Sequence, residues 1–155
     1  MKRILQILVA MLFAGSIGAV PPVPPTKNEL IDGADFIAVI SISKIDEKTE
    51  RRTPFHVLVQ TAQANVERVL KGEAPAKCVL RHEDELSEFL CKPPKLATGR
   101  FLVFLKRQGD VFVQSNWYSI FPIEEDKLAW IDRTSSKVWS LEEVTAEIVA
   151  FLKKQ

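Results

Sequence analysis

The sequence predicts a mainly β domain, a small five- to six-stranded barrel with a C-terminal amphipathic helix. Three observations predict it. Short stretches rich in Ile, Val and Phe recur between turn-forming residues from Asp35 to Trp139. The longest of them, Phe55 to Leu70, loses its period of two at Ala62 and Ala64, as a strand does when it bulges or bends to close a small barrel. From Leu141 onward Val144, Ile148, Phe151 and Leu152 follow at helical spacing. An open sandwich is the alternative the same pattern allows.

The chain opens with Lys2 and Arg3, then an apolar run from Ile4 to Ala14 broken only by Gln6, then Gly15, Ser16, Gly18 and Ala19. Charge, short apolar core and small-residue exit make residues 1–18 a cleavable signal peptide, cut after Gly18 or after Ala19. The apolar core is shorter than the ~20 residues that span hydrocarbon, and no cysteine near the cut invites a lipid anchor. The expected product is exported, periplasmic or extracellular, with no stable membrane anchor after cleavage. Residues 19–33 form a Pro-rich linker and a short helix. Pro21, Pro22, Pro24 and Pro25 hold an extended spacer. Thr26 caps one or two turns to Asp32, Glu29 completes a capping box, and Gly33 stops the helix.

Residues 34–155 are the barrel domain. Asp35 to Ile45 reads as a strand, and Asp46 to Arg52 as a charged turn or loop. After the long strand region Phe55–Leu70, Lys71-Gly72-Glu73-Ala74-Pro75 is a turn by composition. Cys78 to Arg81 is a short strand, and the acidic His82–Glu88 stretch a loop or single turn. Phe101 to Leu105 is the most apolar stretch of the expected mature chain. Gln108-Gly109-Asp110 is a hairpin turn that leads into a returning strand, Val111 to Tyr118. Leu128–Asp132 and Lys137–Trp139 are two further short strands, and Trp130 belongs on the buried face with Leu128. Ser140 and Glu143 have the spacing of a second capping box.

Charge excludes some functions. Loss of Lys2 and Arg3 from the 21 basic side chains leaves 19 against 20 acidic ones. A near-neutral domain lacks the cationic surplus that nucleic acid requires. Catalysis finds little support either. His56 and His82 are the only histidines, no Gly-x-Ser-x-Gly turn or Gly-rich phosphate loop occurs, and Glu124-Glu125-Asp126 reads as a solvated turn. His56 falls among alternating residues and is expected to face solvent.

Three segments carry a resemblance. They are Ala34-Asp35-Phe36-Ile37-Ala38-Val39, then Val66-Glu67-Arg68-Val69-Leu70-Lys71-Gly72, then Cys91 and a Pro-containing loop before Gly99-Arg100-Phe101-Leu102-Val103-Phe104-Leu105. In order and spacing the chain resembles a bacterial group of netrin-like proteins. Their barrel is of the oligonucleotide/oligosaccharide-binding (OB) type also found in the tissue inhibitors of metalloproteinases. The resemblance implies an OB-like, netrin-like barrel over roughly two-thirds of the chain. The inhibitors chelate the protease zinc through a cysteine at the first mature position. Here the mature chain begins near Ala19 or Val20, and no cysteine precedes Cys78. That mechanism is therefore not carried over.

Cys78 and Cys91 are the two cysteines, and in an exported protein such a pair most often forms a disulfide. Closing a loop of ~14 residues would contribute about 3 kcal/mol. The rival readings are free thiols, or a metal site drawing on Cys78, His82, Cys91 and the run Glu83-Asp84-Glu85. No common zinc spacing is present, and no metal or cofactor is expected. Trp117, Tyr118, Trp130 and Trp139 are either packing residues or platforms for sugar rings or peptides, with Trp117 and Tyr118 the ligand candidates. The function expected is that of an exported, non-enzymatic binding domain whose partner is a protein or carbohydrate of the cell envelope. The alternatives are a modulator or inhibitor of an extracytoplasmic enzyme, and a small hydrolase or metal-binding protein. Intact-mass measurement of the exported protein should show the loss of about 18 or 19 N-terminal residues, and a full-length mass there would overturn the signal-peptide reading.

Overall fold

The computed structural model describes residues 23–53, 55–85, 94–130 and 137–155. The expected signal peptide and Cys91 lie outside the described residues. A short helix α1 (Lys27–Gly33) leads into β1 (Phe36–Arg52), β2 (Phe55–Lys71), β3 (Cys78–Glu85), β4 (Gly99–Gln108) and β5 (Val111–Gln114). Three short strands follow, β6 (Ile120–Pro122), β7 (Lys127–Ala129) and β8 (Val138–Ser140), and then the helix α2 (Leu141–Leu152).

Strands pair in the order β1-β2-β3-β5-β4, and β4 returns to β1, so five strands close a barrel. The β3–β5 contact is parallel and the other pairings in the ring are antiparallel. This is the OB type of barrel. β6 lies outside the ring on the first half of β4, and β7 and β8 form a separate two-stranded sheet.

Closure demands strong coiling, and bulges supply it. The β1–β2 register slips between Ile37 and Ala38, between Val39 and Ile40, and between Ile42 and Ile45. The last slip has its extra residues in β1, opposite Ala62 and Ala64, where β2 keeps its alternation; β2 bulges instead at Leu70 and Glu67, nearer its end than the sequence suggested. Two apolar layers result. Phe36, Ala38, Ile40 and Ile42 of β1 meet Phe101, Val103 and Leu105 of β4, with Leu80, Leu96 and Phe112, inside the barrel. The intervening residues Ile37, Val39, Leu102 and Phe104 face outward, into a second core beneath α1, α2, Phe121 and Trp130. β1 and β4 are thus buried on both faces, which is why Phe101–Leu105 is uninterrupted apolar sequence.

The segments that carry the sequence resemblance have structural roles. Asp35 N–H donates to the Leu105 carbonyl at 2.9 Å, and its carboxylate accepts from Arg107 N–H at 3.0 Å. The Lys71 ammonium donates to the Ile31 carbonyl at 2.8 Å, closing the end of α1. Gly72 has φ +84°, and a Cβ there would stand 2.6 Å from the Asp35 carbonyl oxygen. Backbone approach, not side-chain chemistry, requires glycine at that position.

Both capping boxes are present, Thr26 with Glu29 and Ser140 with Glu143. The Glu124–Lys127 turn has positive φ at Glu125 and Asp126, the pair of left-handed residues typical of a tight hairpin.

Three expectations need correction. Asp46–Arg52 is strand, not loop: β1 continues and pairs through Arg52↔Phe55. Its charges neutralise one another along one face, with Lys48 Nζ 2.6 Å and Arg52 2.8 Å from Glu50. β3 runs on to Glu85, where an acidic loop was expected. The returning strand β5 stops at Gln114, so Trp117 and Tyr118 sit on a turn. β6 was not foreseen, being three residues long and ending in Pro122.

α2 lays Leu141, Val144 and Ile148 into the outer core, with Phe151 and Leu152 packed at its margin. Ile148 is fully buried. Ile148→Ala should cost about 2–5 kcal/mol and lower the melting temperature by about 10 °C or more. An unchanged melt would show that the helix does not hold the barrel.

Candidate functional site

Inside the barrel, β3 points Cys78 and Leu80 into the apolar interior. The next two residues of the same face are polar: His82 is 5% and Asp84 3% exposed. The neighbouring strands match this change of character. Gln60 stands opposite His82 in the β2–β3 register. Gln114 lies two residues beyond Phe112, the one β5 partner of β3, as His82 lies two beyond Leu80. Gln60, His82 and Gln114 thus form a polar layer at one mouth of the barrel.

Segment 94–98 closes this mouth. Leu96 enters the barrel core, and its N–H donates to Gln60 Oε1 at 2.9 Å. Gln60 Nε2 donates to Glu47 Oε2 at 2.9 Å. The Gln114 amide donates to the Pro94 carbonyl at 3.1 Å. Two members of the polar layer are therefore hydrogen-bonded to the segment that covers them. His82 between them is not, because its Nε2 is buried without a hydrogen-bond partner among the described residues. Leaving such a group unsatisfied costs about 1–3 kcal/mol.

Beside His82 is a cavity of about 290 Å³ bounded by β3, β5, Gln108 and the turn after β5, with Trp117 on its wall. The turn is fixed by the fully buried Ser119. The Ser119 hydroxyl accepts from Asn116 N–H at 2.7 Å and lies 2.7 Å from the Ser115 hydroxyl. Tyr118 N–H donates to Asn116 Oδ1 at 2.7 Å. These bonds hold Trp117, itself half-buried, against the cavity.

Electrostatics at the rim come from an ion-pair ladder across β1 and β3. Arg52 grips Glu83 with its two terminal guanidinium nitrogens, at 2.7 and 3.1 Å, and Arg81 Nε donates to Glu83 at 2.8 Å. Arg52 and Arg81 hold the Glu83 carboxyl below its ordinary range. Lys48 and then Arg52 lower Glu50 to about 2. Burial holds the His82 imidazole below its ordinary value of 6.5. Asp84 and Glu83 oppose that, and Lys95 adds to it.

The structure brings Trp117 to this cavity but not Tyr118, which is half-buried on the same turn and does not line it. Trp130 is buried in the outer core as expected, stacked 5.6 Å from Phe104 with its N–H donating to Glu147 at 3.0 Å. Trp139 packs against the same core beneath Lys137, 3.8 Å from the ring centroid. His56 is exposed. No disulfide is seen at Cys78, which is a buried free thiol; its expected partner, Cys91, lies outside the described residues. Burial pushes the Cys78 thiol up to about 11, so at neutral pH it is no nucleophile. Among the described residues no group of His, Cys, Asp and Glu is placed to hold a metal ion. From sequence His82 was weighed as a metal ligand and, with His56, as one of two histidines that could serve as a base. Its place on the inward face of β3 was hidden by the assignment of His82–Glu88 to a loop.

A wider groove of about 1010 Å³ runs between β1, β2 and the β2–β3 turn, past Lys44, Gln63, Asn65, Glu67 and Lys77. It is the larger of the two, but its lining is mainly polar, whereas that of the smaller is mainly apolar. The His82–Trp117 cavity is the better site for a specific ligand.

Neither protein-family models nor curated proteins give a match to this chain.

The lowered His82 value has a consequence for stability. The unfolded chain takes up this proton at a higher pH than the folded one, so the stabilisation is complete above about 6.5 and is lost as pH falls below it. Urea unfolding from about pH 8 to about pH 5 should show a midpoint that drops on the acid side. In His82→Gln the drop should be shallower. An equal drop in both proteins would remove His82 from that role.

Proposed function

We propose that this protein is an exported, non-enzymatic binding domain of the netrin-like group and that it holds a ligand of the cell envelope in the cavity between Trp117 and His82. One observation carries the reading. An aromatic platform, fixed by the Ser119-centred turn, faces a mainly apolar cavity bordered by Gln108, Gln114 and Asn116. An indole offers a flat apolar surface, and the amides beside it offer directional hydrogen bonds. Together they suit a small polar group with one apolar face.

The lining supports binding over catalysis. Gln108, Gln114 and Asn116 contribute amides, and Arg81 and Glu83 are already paired with each other. No serine, cysteine or lysine nucleophile lines the cavity beside the imidazole.

Envelope-derived saccharide fragments and peptides titrated against the isotope-labelled domain should shift the Trp117 indole resonance while leaving those of Trp130 and Trp139 in place. Trp117→Ala should weaken any such ligand at least tenfold, about 1.4 kcal/mol, without loss of fold. A ligand that binds the variant and the wild type equally would place the site elsewhere.

A further inference from the structure

We propose that the occupant of this cavity is an uncharged saccharide unit, stacked on Trp117 with its hydroxyls turned to the amides of Gln108 and Asn116. The inference rests on the cavity's being the ligand site. It names the chemical class that the lining selects.

The cavity lies on the outer face of the barrel. Leu80 and Phe112 point into the barrel core, and side chains alternate along a strand. Arg81 and Glu83 of β3 and Val113 of β5 therefore face outward, and all three line the cavity. Trp117 and Val113, both half-buried, supply its apolar side chains. Charge argues against an ionic occupant. Arg81 and Glu83 are the charged residues of the described lining, and they pair with each other at 2.7 Å. An ionic group brought here would give up water without meeting a surplus of either sign.

The amides argue against a purely apolar occupant. Gln108 is exposed at the end of β4. Asn116 Oδ1 accepts from Tyr118 N–H at 2.7 Å, which orients the side chain and leaves its Nδ2 to donate. A lipid chain laid over these amides would strand their hydrogen-bonding groups. A carboxamide donates and accepts, as a hydroxyl does, so the two pair in either sense. A sugar ring joins a rim of hydroxyls to an apolar face of C–H groups, which suits the negative face of an indole. A peptide backbone also pairs with amides, yet it has no flat apolar face for the indole. At about 290 Å³ the cavity lies at the small end of ligand sites, which limits the bound part to a short saccharide.

The test is NMR titration of the full exported chain, isotope-labelled, with matched probes. Cellobiose, maltose and N-acetylglucosamine are uncharged. Glucosamine carries a positive charge and glucuronic acid a negative one. An alanine tetrapeptide with blocked ends is the peptide control. The uncharged sugars should shift the Trp117 indole and the Gln108 side-chain amide, with an affinity that salt does not change. Trp117→Ala should weaken them at least about tenfold. Gln108→Ala should weaken them several-fold, which keeps the proposal testable if Trp117→Ala does not fold. A charged sugar that binds more tightly than N-acetylglucosamine, or an affinity that falls with salt, would overturn the uncharged class. A blocked peptide that shifts the Trp117 indole where the sugars do not would overturn the saccharide and leave the binding reading intact. No shift of that indole by any probe would overturn both.

Discussion

Closure of five strands on themselves is the constraint from which the rest of this structure follows. β1 must pair with β2 on one edge and with β4 on the other, so it has to coil, and the three register slips along β1–β2 are how it does so. Once closed, the ring has an inside and an outside, and β1 and β4 present apolar residues to both. Ile40 and Val103 fill the interior, while Val39 and Leu102 need a second cover outside. That need gives the two helices their place. An isolated helix of the length of α2 is marginal in water; docked on the outer face of the barrel, it buries Val144 and Ile148 completely.

The outer layer is then locked by polar contacts that could not stand alone. Lys27 of α1 meets Glu147 of α2 at 3.0 Å, and the same carboxylate accepts from Trp130. Arg100 on β4 joins Glu67 of β2 to Asp126 of the tight turn. Surface pairs of this kind contribute little singly. Their value here is positional, since each joins elements that the apolar core has already brought together.

Much of this was legible in the sequence, and the limit of legibility has a physical form. The two capping boxes, the bulged long strand, the hairpin turn at Gly109 and the buried Trp130 follow from local patterns. Such patterns report a residue's nearest neighbours. They failed at Lys48, Glu50 and Arg52, whose charges read as loop because their neutralising partners include Glu83, 31 residues away from Arg52. They failed at His82 and Asp84, inward-facing residues of a strand whose interior turns polar at the mouth. They also misplaced Trp117, held on its turn by Ser119 rather than on a strand. The Ala-Asp and Leu-Lys-Gly segments show the converse. They hold strands and helix in register through Asp35, Lys71 and Gly72, and so they report architecture and nothing about a ligand.

The position of the candidate site follows from the same closure. A five-stranded ring has one parallel contact, β3 with β5, because the chain enters both strands from the same end. It is also the shortest ladder in the ring, with a single bridged residue pair. The interior below that point is apolar and packed. Above it the inward positions are Gln60, His82, Asp84 and Gln114, which an apolar plug could not cover without orphaning them. Segment 94–98 meets two of them by offering Leu96 N–H to Gln60 and the Pro94 carbonyl to Gln114. A polar mouth on an apolar barrel thus needs a cover that brings its own main-chain donors and acceptors, and this segment supplies one.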